Sequence, residues 1–242
     1  MSLSLRKLIF SYVWDTRCRN TDVARILEPL LKAGSTIIDA GCGEYGIAAF
    51  LPGRKIVGVD IIPTDTKVEG FAFVHGSILD LPFDARSFSI ATSIDVLEHL
   101  PEDLRPGAIE QLVKVARDAV VITFPSGADA REIDEAFEKT LKDTGQPIPD
   151  WVSEHLSNRY PETDEIVAEI KTQAEKAGRL VRITNYYSER RSIAKFLRWS
   201  AARSRYVYMA GNLFAGFFLP IIRRTTKENA YRSIILAEFI NA

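Results

Sequence analysis

The 242-residue chain is poor in sulfur and in histidine, with two cysteines, two methionines and three histidines. Cys18 and Cys42 cannot build a disulfide scaffold, and no C-x-x-C pair suggests zinc. This usage fits a reducing compartment, so the expected location is cytoplasmic. Repeats and linker-like stretches are missing, and the composition is neither collagen-like nor that of a disordered chain. No apolar run is long enough to span a membrane comfortably. The longest, Tyr206 to Ile222, has 17 residues, contains Asn212 and Pro220, and is bracketed by Arg203, Arg205, Arg223 and Arg224. It reads as a buried helix pair, a dimer face or a segment lying at a lipid interface, with peripheral membrane contact through 206–222. The N-terminal apolar run Leu8 to Trp14 lacks a small-residue cleavage site and is broken by Asp15, unlike a signal peptide.

What remains is ordinary for a globular domain: 46% hydrophobic and 26% charged residues, enough chain for one sizeable core. The net charge of −1 hides an asymmetry. Arg179 to Ala242 holds ten Arg and two Lys against three Glu, a surplus of +9. A basic quarter of this kind suits a phosphorylated head group, an anionic membrane or a solvated face against the acidic body. Nucleic acid is disfavoured, because the net charge is near zero and no basic–aromatic repeat occurs.

Asn20 to Ala33 reads as a helix, capped by Asn20 or Thr21, with Val23, Ile26, Leu27, Leu30 and Leu31 on one face. A strand–helix alternation follows. Short apolar strands are expected at 35–40, 55–60, 72–75, 87–93 and 119–124, with a helix within 102–117. Near-continuous apolar strands separated by helices imply a parallel sheet covered on both faces. Helices are expected at 129–143, 163–177 and 191–199, and further strands at 180–187 and 231–240.

The informative turn is Asp39-Ala-Gly41-Cys42-Gly43-Glu-Tyr-Gly46, a G-x-G-x-x-G pattern with Asp60 at the end of the next strand. Alone, the pattern says only that backbone approaches a ligand closely. Asp39 adds a charge. A carboxylate here repels the pyrophosphate that a dinucleotide turn must hold, and favours a ligand with an ammonium and a sulfonium, which S-adenosylmethionine carries without phosphate. Asp39 can equally cap the turn through backbone N–H groups, and the two roles are compatible. Asp60 can accept from both ribose hydroxyls, and Ile61 and Ile62 can lie against an adenine face.

With Ile38 to Gly46, Val57 to Asp60, Leu79 to Phe83, Ser87 to Ser89, Asp95 to Pro101 and Val121 to Pro125 in order, the sequence resembles the class I S-adenosylmethionine-dependent methyltransferases. It is most similar to the group that includes the ubiquinone and menaquinone biosynthesis enzymes. The resemblance implies an α/β fold: a Rossmann-like, seven-stranded, mostly parallel sheet with a reversed last strand, helices on both faces and helical insertions on the substrate side. It implies one domain over 1–242. Its parts are a cofactor core at 20–125, insertions at 129–178 and 188–230, and a closing strand at 231–240. Carried over by residue, Asp39, Gly41, Cys42, Gly43 and Gly46 hold the methionine end of S-adenosylmethionine, Asp60 the ribose and Ile61 an adenine face. Ser77 stands where the family often has Asp beside the adenine amino group, Ile78 offers its backbone N–H, and Asp95 lies near the methionine moiety.

Methyl transfer asks for alignment and exclusion of water, plus a base when the acceptor carries a proton. The candidates are His155 and Glu154 in an insertion, and His99 in Asp95-x-x-Glu98-His99. Asp95, Glu98 and His99 also resemble the metal set of some cation-binding methyltransferases, although metal-free relatives carry a similar stretch, and the expectation is no metal. His75 reads as structural. The expected acceptor is a small molecule, apolar or lipid- or sugar-linked. Trp199, Tyr206, Tyr208, Phe214, Phe217 and Phe218 could line its pocket or belong to the core. Two readings stand beside this one, an NAD(P)-dependent oxidoreductase and a non-catalytic binding module.

Overall fold

The computed structural model describes residues 14–203, 206–210 and 225–240. Seven strands form one sheet: β1 (Thr36–Ala40), β2 (Lys55–Asp60), β3 (Phe71–His75), β4 (Phe88–Ile94), β5 (Ala116–Pro125), β6 (Leu180–Arg190) and β7 (Ala230–Ile240). Their spatial order is β3-β2-β1-β4-β5-β7-β6. Neighbours from β3 through β5 pair in parallel, and β7 runs antiparallel to both β5 and β6. The last strand in sequence is therefore the reversed one, as expected. Every residue of β4 is buried, Ser89, Thr92 and Ser93 included, as a central strand covered on both faces requires.

Helices α1 (Trp14–Leu27), α2 (Arg105–Val115), α3 (Gly127–Asp143), α4 (Asp150–Ser157), α5 (Thr163–Lys176) and α6 (Arg191–Ala201) surround the sheet. One face packs α2 and α5 onto Ile38, Val120, Ile122 and Ile235. The other packs Val23 and Leu27 of α1 onto Ile37, Ile56, Ile90 and Val121. Ile166, Ile170 and Ala174 of α5 lie in the first of these cores, so this helix covers the sheet. A smaller core of Phe137, Leu141, Val152 and Ala202 joins α3, α4 and the end of α6 beyond the sheet.

Helix α1 corrects the sequence reading. It is already helical at Trp14, and Asn20 does not cap it. The Asn20 side-chain amide instead donates to the Thr16 carbonyl at 2.8 Å, within the helix. The helix ends early because Pro29 opens a 3-10 turn at Glu28–Leu30. Strand β6 runs three residues past its expected end at 187, because β7 continues to pair with it as far as Arg190 opposite Ala230. Of the apolar run 206–222, residues 206–210 are helical and the rest lie outside the described residues, as do Phe214, Phe217 and Phe218. Among the described residues no helix is long and apolar enough to cross a membrane.

Candidate active site

The chain leaves β1 outward to β2 and β3, then returns to place β4 on the other side of β1. That reversal opens a crevice beyond the carboxyl ends of β1 and β4, the usual ligand position in an open α/β sheet. The Gly-rich turn and Asp95 sit there. Gly41 has φ +80°, and a Cβ on it would lie 2.3 Å from Val96 Cγ2, so only glycine fits. Gly46 has φ +48°, and its added Cβ would come within 2.0 Å of Asp39 Oδ2.

Asp39 is 1% exposed. Its Oδ2 accepts from the Ile47 N–H at 2.9 Å and its Oδ1 from the Thr92 hydroxyl at 2.8 Å. Burial pushes its pKa up, against those two hydrogen bonds and the Arg19 charge. The capping role is thus realised, while the carboxylate still lines the cavity. Asp60 Oδ2 accepts from the Gly43 N–H at 2.8 Å and Oδ1 from the Ile62 N–H at 2.9 Å. It ties the first turn to the loop after β2. Ile61 and Ile62 beyond it are 68% and 69% exposed, an unusual state for two adjacent isoleucines. His75 keeps that loop in place through Nε2, 3.0 Å from the Ile61 carbonyl oxygen. The Ser77 hydroxyl accepts from the Leu79 N–H at 3.2 Å, and Ile78 is buried. Asp39, Asp60, Ile61, Ile62, Ser77 and Ile78 line a cavity of ≈ 640 Å³ together with Gly41, Cys42, Gly43, Gly46 and Asp95.

A second cavity of ≈ 510 Å³ lies beside it, walled by Phe137, Trp151, Leu197 and Tyr208 on its apolar side. The two share Arg19, Asp95, His99 and Trp151. Their common wall rests on a buried charge network that the sequence reading did not contain. Arg232 of β7 is 1% exposed and donates to Asp95 (2.6 Å), Glu189 (2.7 Å) and Asp15 (2.7 Å). Arg19 donates to Asp95 at 2.9 Å, and the Thr123 hydroxyl does so at 2.6 Å. Burial raises the Asp95 pKa, but Arg232 and Arg19 outweigh it and bring it down to about 2. Burial and the neighbouring Asp15 push Glu189 up to about 7 despite Arg232. The available signal was Arg232 itself, the one cation in the mostly apolar Tyr231-to-Ile240 strand, which must be paired when buried.

The catalytic candidates come together. His99 Nδ1 lies 2.6 Å from Glu154 Oε2, and His99 Nε2 lies 3.2 Å from His155 Nε2. His155 Nδ1 lies 3.1 Å from Asp134 Oδ2. Burial and then the His155 ring hold the His99 pKa below the usual imidazole value. Burial would raise Asp134, but the Arg198 guanidinium, 2.8 Å away, and the His155 and Tyr160 hydrogen bonds keep it low. Glu98 is fully buried behind them, and burial followed by the Asp95 charge pushes its pKa well up. Of the three residues that resembled a metal set, Asp95 is turned to the arginines. The cluster the fold assembles is Glu98, His99 and His155, and residues 56 apart in sequence gave no local sign of it.

The sheet order and the glycine turn define a Rossmann-like α/β protein with its ligand crevice at the reversal between β1 and β4. Residues 38–123 match the family described as "Methyltransferase domain". Over this stretch the chain is similar to a methyltransferase domain. The chain is 31% identical over 134 residues to the tRNA (carboxymethyluridine(34)-5-O)-methyltransferase of Arabidopsis thaliana, covering 54% of this chain and 33% of that protein. It is 29% identical over 137 residues to the 2-heptyl-1-hydroxyquinolin-4(1H)-one methyltransferase of Mycobacteroides abscessus, covering 50% of this chain and 60% of that one. The chain thus spans from a third to about three fifths of the curated relatives it matches. Its fold is similar to that of Haemonchus contortus phosphoethanolamine N-methyltransferase 2 in complex with S-adenosyl-L-methionine. The TM-score is 0.56 at 15% identity, over 92% of this chain and 52% of that one.

Proposed function

We propose that the chain is a methyltransferase that binds S-adenosylmethionine in the ≈ 640 Å³ cavity and its acceptor in the ≈ 510 Å³ cavity. The observation that carries this is the common wall, which lets a methyl group at the end of one cavity face a nucleophile in the other. The cofactor core is 20–125. Of the insertions 129–178 and 188–230, α3, α4 and α6 supply the acceptor side, and 231–240 closes the sheet. Asp39 and the turn Gly41-Cys42-Gly43, with Gly46, take the methionine end, Asp60 the ribose hydroxyls, Ile61 the adenine face, and Ser77 and Ile78 the adenine edge. Asp95 acts at the methionine end through Arg19, since its own oxygens are engaged. Bound S-adenosylmethionine would supply the methyl group, and the His155–His99–Glu154 chain would take the proton that the acceptor gives up.

A dinucleotide fits this crevice poorly. A pyrophosphate needs free N–H groups at a helix N-terminus. Here a five-residue 3-10 turn, Gly46–Phe50, follows the glycines, and its Ile47 N–H is taken by Asp39. The second cavity favours a small acceptor with a polar group on an apolar body, in keeping with the hydroxyquinolinone named for the Mycobacteroides relative. Exposed Phe196, Trp199, Tyr206 and Met209, sequence neighbours of its lining residues Leu197 and Tyr208, support delivery of an apolar or lipid-linked acceptor at a membrane surface, with the protein cytoplasmic. Calorimetric titration with S-adenosylhomocysteine and, in parallel, NADH tests the reading. Micromolar binding of the first alone is expected. Binding of NADH alone makes the protein a dehydrogenase, and binding of neither favours a non-catalytic module.

A further inference from the structure

The wall between the cavities holds side chains arranged around one point. Glu98 and His99 reach it from the 3-10 turn after β4, and His155 reaches it from α4. One ligand atom from each lies within 4.8 Å of the other two. Behind each imidazole stands a carboxylate, Glu154 on His99 Nδ1 and Asp134 on His155 Nδ1. An ionised carboxylate only accepts, so each Nδ1 carries its ring's proton and each Nε2 presents a lone pair. Those two lone pairs meet at 3.2 Å and repel unless a cation lies between them. Glu98 is 1% exposed, and neither of its carboxyl oxygens has a hydrogen-bond partner among the described residues. Its Oε1 lies 3.9 Å from His155 Nε2. A buried carboxyl group left without a partner is costly, and a ligand at this point would remove that cost.

We propose that Glu98, His99 and His155 bind a divalent first-row transition-metal ion. With metal–nitrogen bonds of about 2.0–2.1 Å, two nitrogens 3.2 Å apart subtend about 100° at the metal, near the tetrahedral value. Carboxylates behind metal-bound imidazoles fix the tautomer and orient the rings, which is the placement of Glu154 and Asp134. Paired imidazoles select a transition metal over magnesium or calcium, which prefer oxygen. Asp95 is not a ligand, because Arg19 and Arg232 hold its carboxylate. All three ligands face the ≈ 510 Å³ cavity. Three protein ligands leave a coordination position open there, as in catalytic rather than structural sites. The catalytic consequence rests on the methyl-transfer reading: an acceptor hydroxyl in the open position gives up its proton more readily.

The test is calorimetric titration of chelator-treated protein with Zn²⁺ and, separately, with Mn²⁺, alongside the metal content of the protein as purified. One ion per chain is expected for at least one of the two metals. His155→Ala should abolish that binding. Glu154→Gln, at an exposed position that leaves the fold intact, should weaken it roughly ten- to hundredfold. Failure of the wild-type chain to bind either ion stoichiometrically overturns the proposal, and a proton then bridges the two imidazoles. Unchanged affinity in Glu154→Gln or in folded His155→Ala overturns it equally. S-adenosylhomocysteine is titrated into the same samples. If the wild type binds metal but not this ligand, the methyl-transfer reading falls and the metal assignment stands.

Discussion

Asp39 offers a clean separation between holding a turn and attracting a ligand. Its two oxygens accept from the Ile47 N–H and the Thr92 hydroxyl. Asn keeps the shape. Its carbonyl can still accept from Ile47, and its amide can donate to the Thr92 oxygen, because a hydroxyl both donates and accepts. Asp39→Asn should therefore unfold close to the wild-type temperature. Asp39→Ala strands the buried Ile47 N–H at about 1–3 kcal/mol, while the Thr92 hydroxyl still donates to the Ile38 carbonyl, an expected fall of roughly 2–12 °C for a chain of this size. Ligand binding should follow the charge instead. A hydrogen bond from a ligand ammonium to a carboxylate contributes about 1.5–3 kcal/mol, so Asp39→Asn should bind S-adenosylhomocysteine roughly ten- to a hundredfold more weakly. The loss should be larger for S-adenosylmethionine, whose sulfonium adds a second positive charge. Differential scanning fluorimetry and calorimetry on the three proteins decide it. An Asn variant that binds both ligands like the wild type would refute the electrostatic argument and leave Asp39 a turn cap only.

Arg232→Met should cost roughly 3–5 kcal/mol in urea unfolding, since it removes the guanidinium that Asp95, Glu189 and Asp15 share and leaves Arg19 beside the first and last of them. Arg232→Lys should recover less than half, because one ammonium cannot span three carboxylates, and full recovery would contradict the geometry. Glu189 binds its proton more tightly folded, at about 7, than unfolded, at 4.5. Its contribution is present below about 4.5 and is lost as pH rises to about 7, up to about 3 kcal/mol. Glu189→Gln should flatten the stability profile over that window, and an unchanged slope would count against it. Asp95 has the opposite sign, with stability present above 3.8 and lost as pH falls through about 2. Gly46→Ala should destabilise more than Gly43→Ala. Both adopt positive φ, at about 1–2 kcal/mol for a side chain, but only Gly46 would press its Cβ onto Asp39. Equal melting temperatures would show that the crowding is relieved at no cost.

The sheet was legible because its inner strands are short, mostly apolar runs, its edge strand β6 alternates, and its turn is spelled by glycines, all local signals. Asp39 and Asp60 were legible because a carboxylate at a strand end beside such a turn has few other uses. The acceptor wall was not. Asn20 and Thr21 read as helix caps, so α1 was started too late and Asp15 and Arg19 were left outside it. His155 and His99 are brought together only by the packing of α4 against the turn after β4. Asp134, read as one charge among many in α3, is fully buried between His155, Tyr160, Tyr231 and Arg198. Tertiary pairing inverted the meaning of each of these polar residues, and no periodicity carries that.

Backbone strain and charge meet at the same place. Asp95 and Glu189 are non-glycine residues with positive φ, +55° and +59°. Such conformations cost about 1–3 kcal/mol each and persist only where the surroundings over-determine them. Both carboxylates are ligands of the one guanidinium, Arg232, which reaches them from β7. The reversed strand therefore does more than close the sheet. It carries the cation that holds the end of β4, the end of β6 and α1 in one arrangement around the shared wall. A change at Arg232, which lines the ≈ 510 Å³ cavity, should consequently move the Asp95 loop and, with it, His99 four residues later.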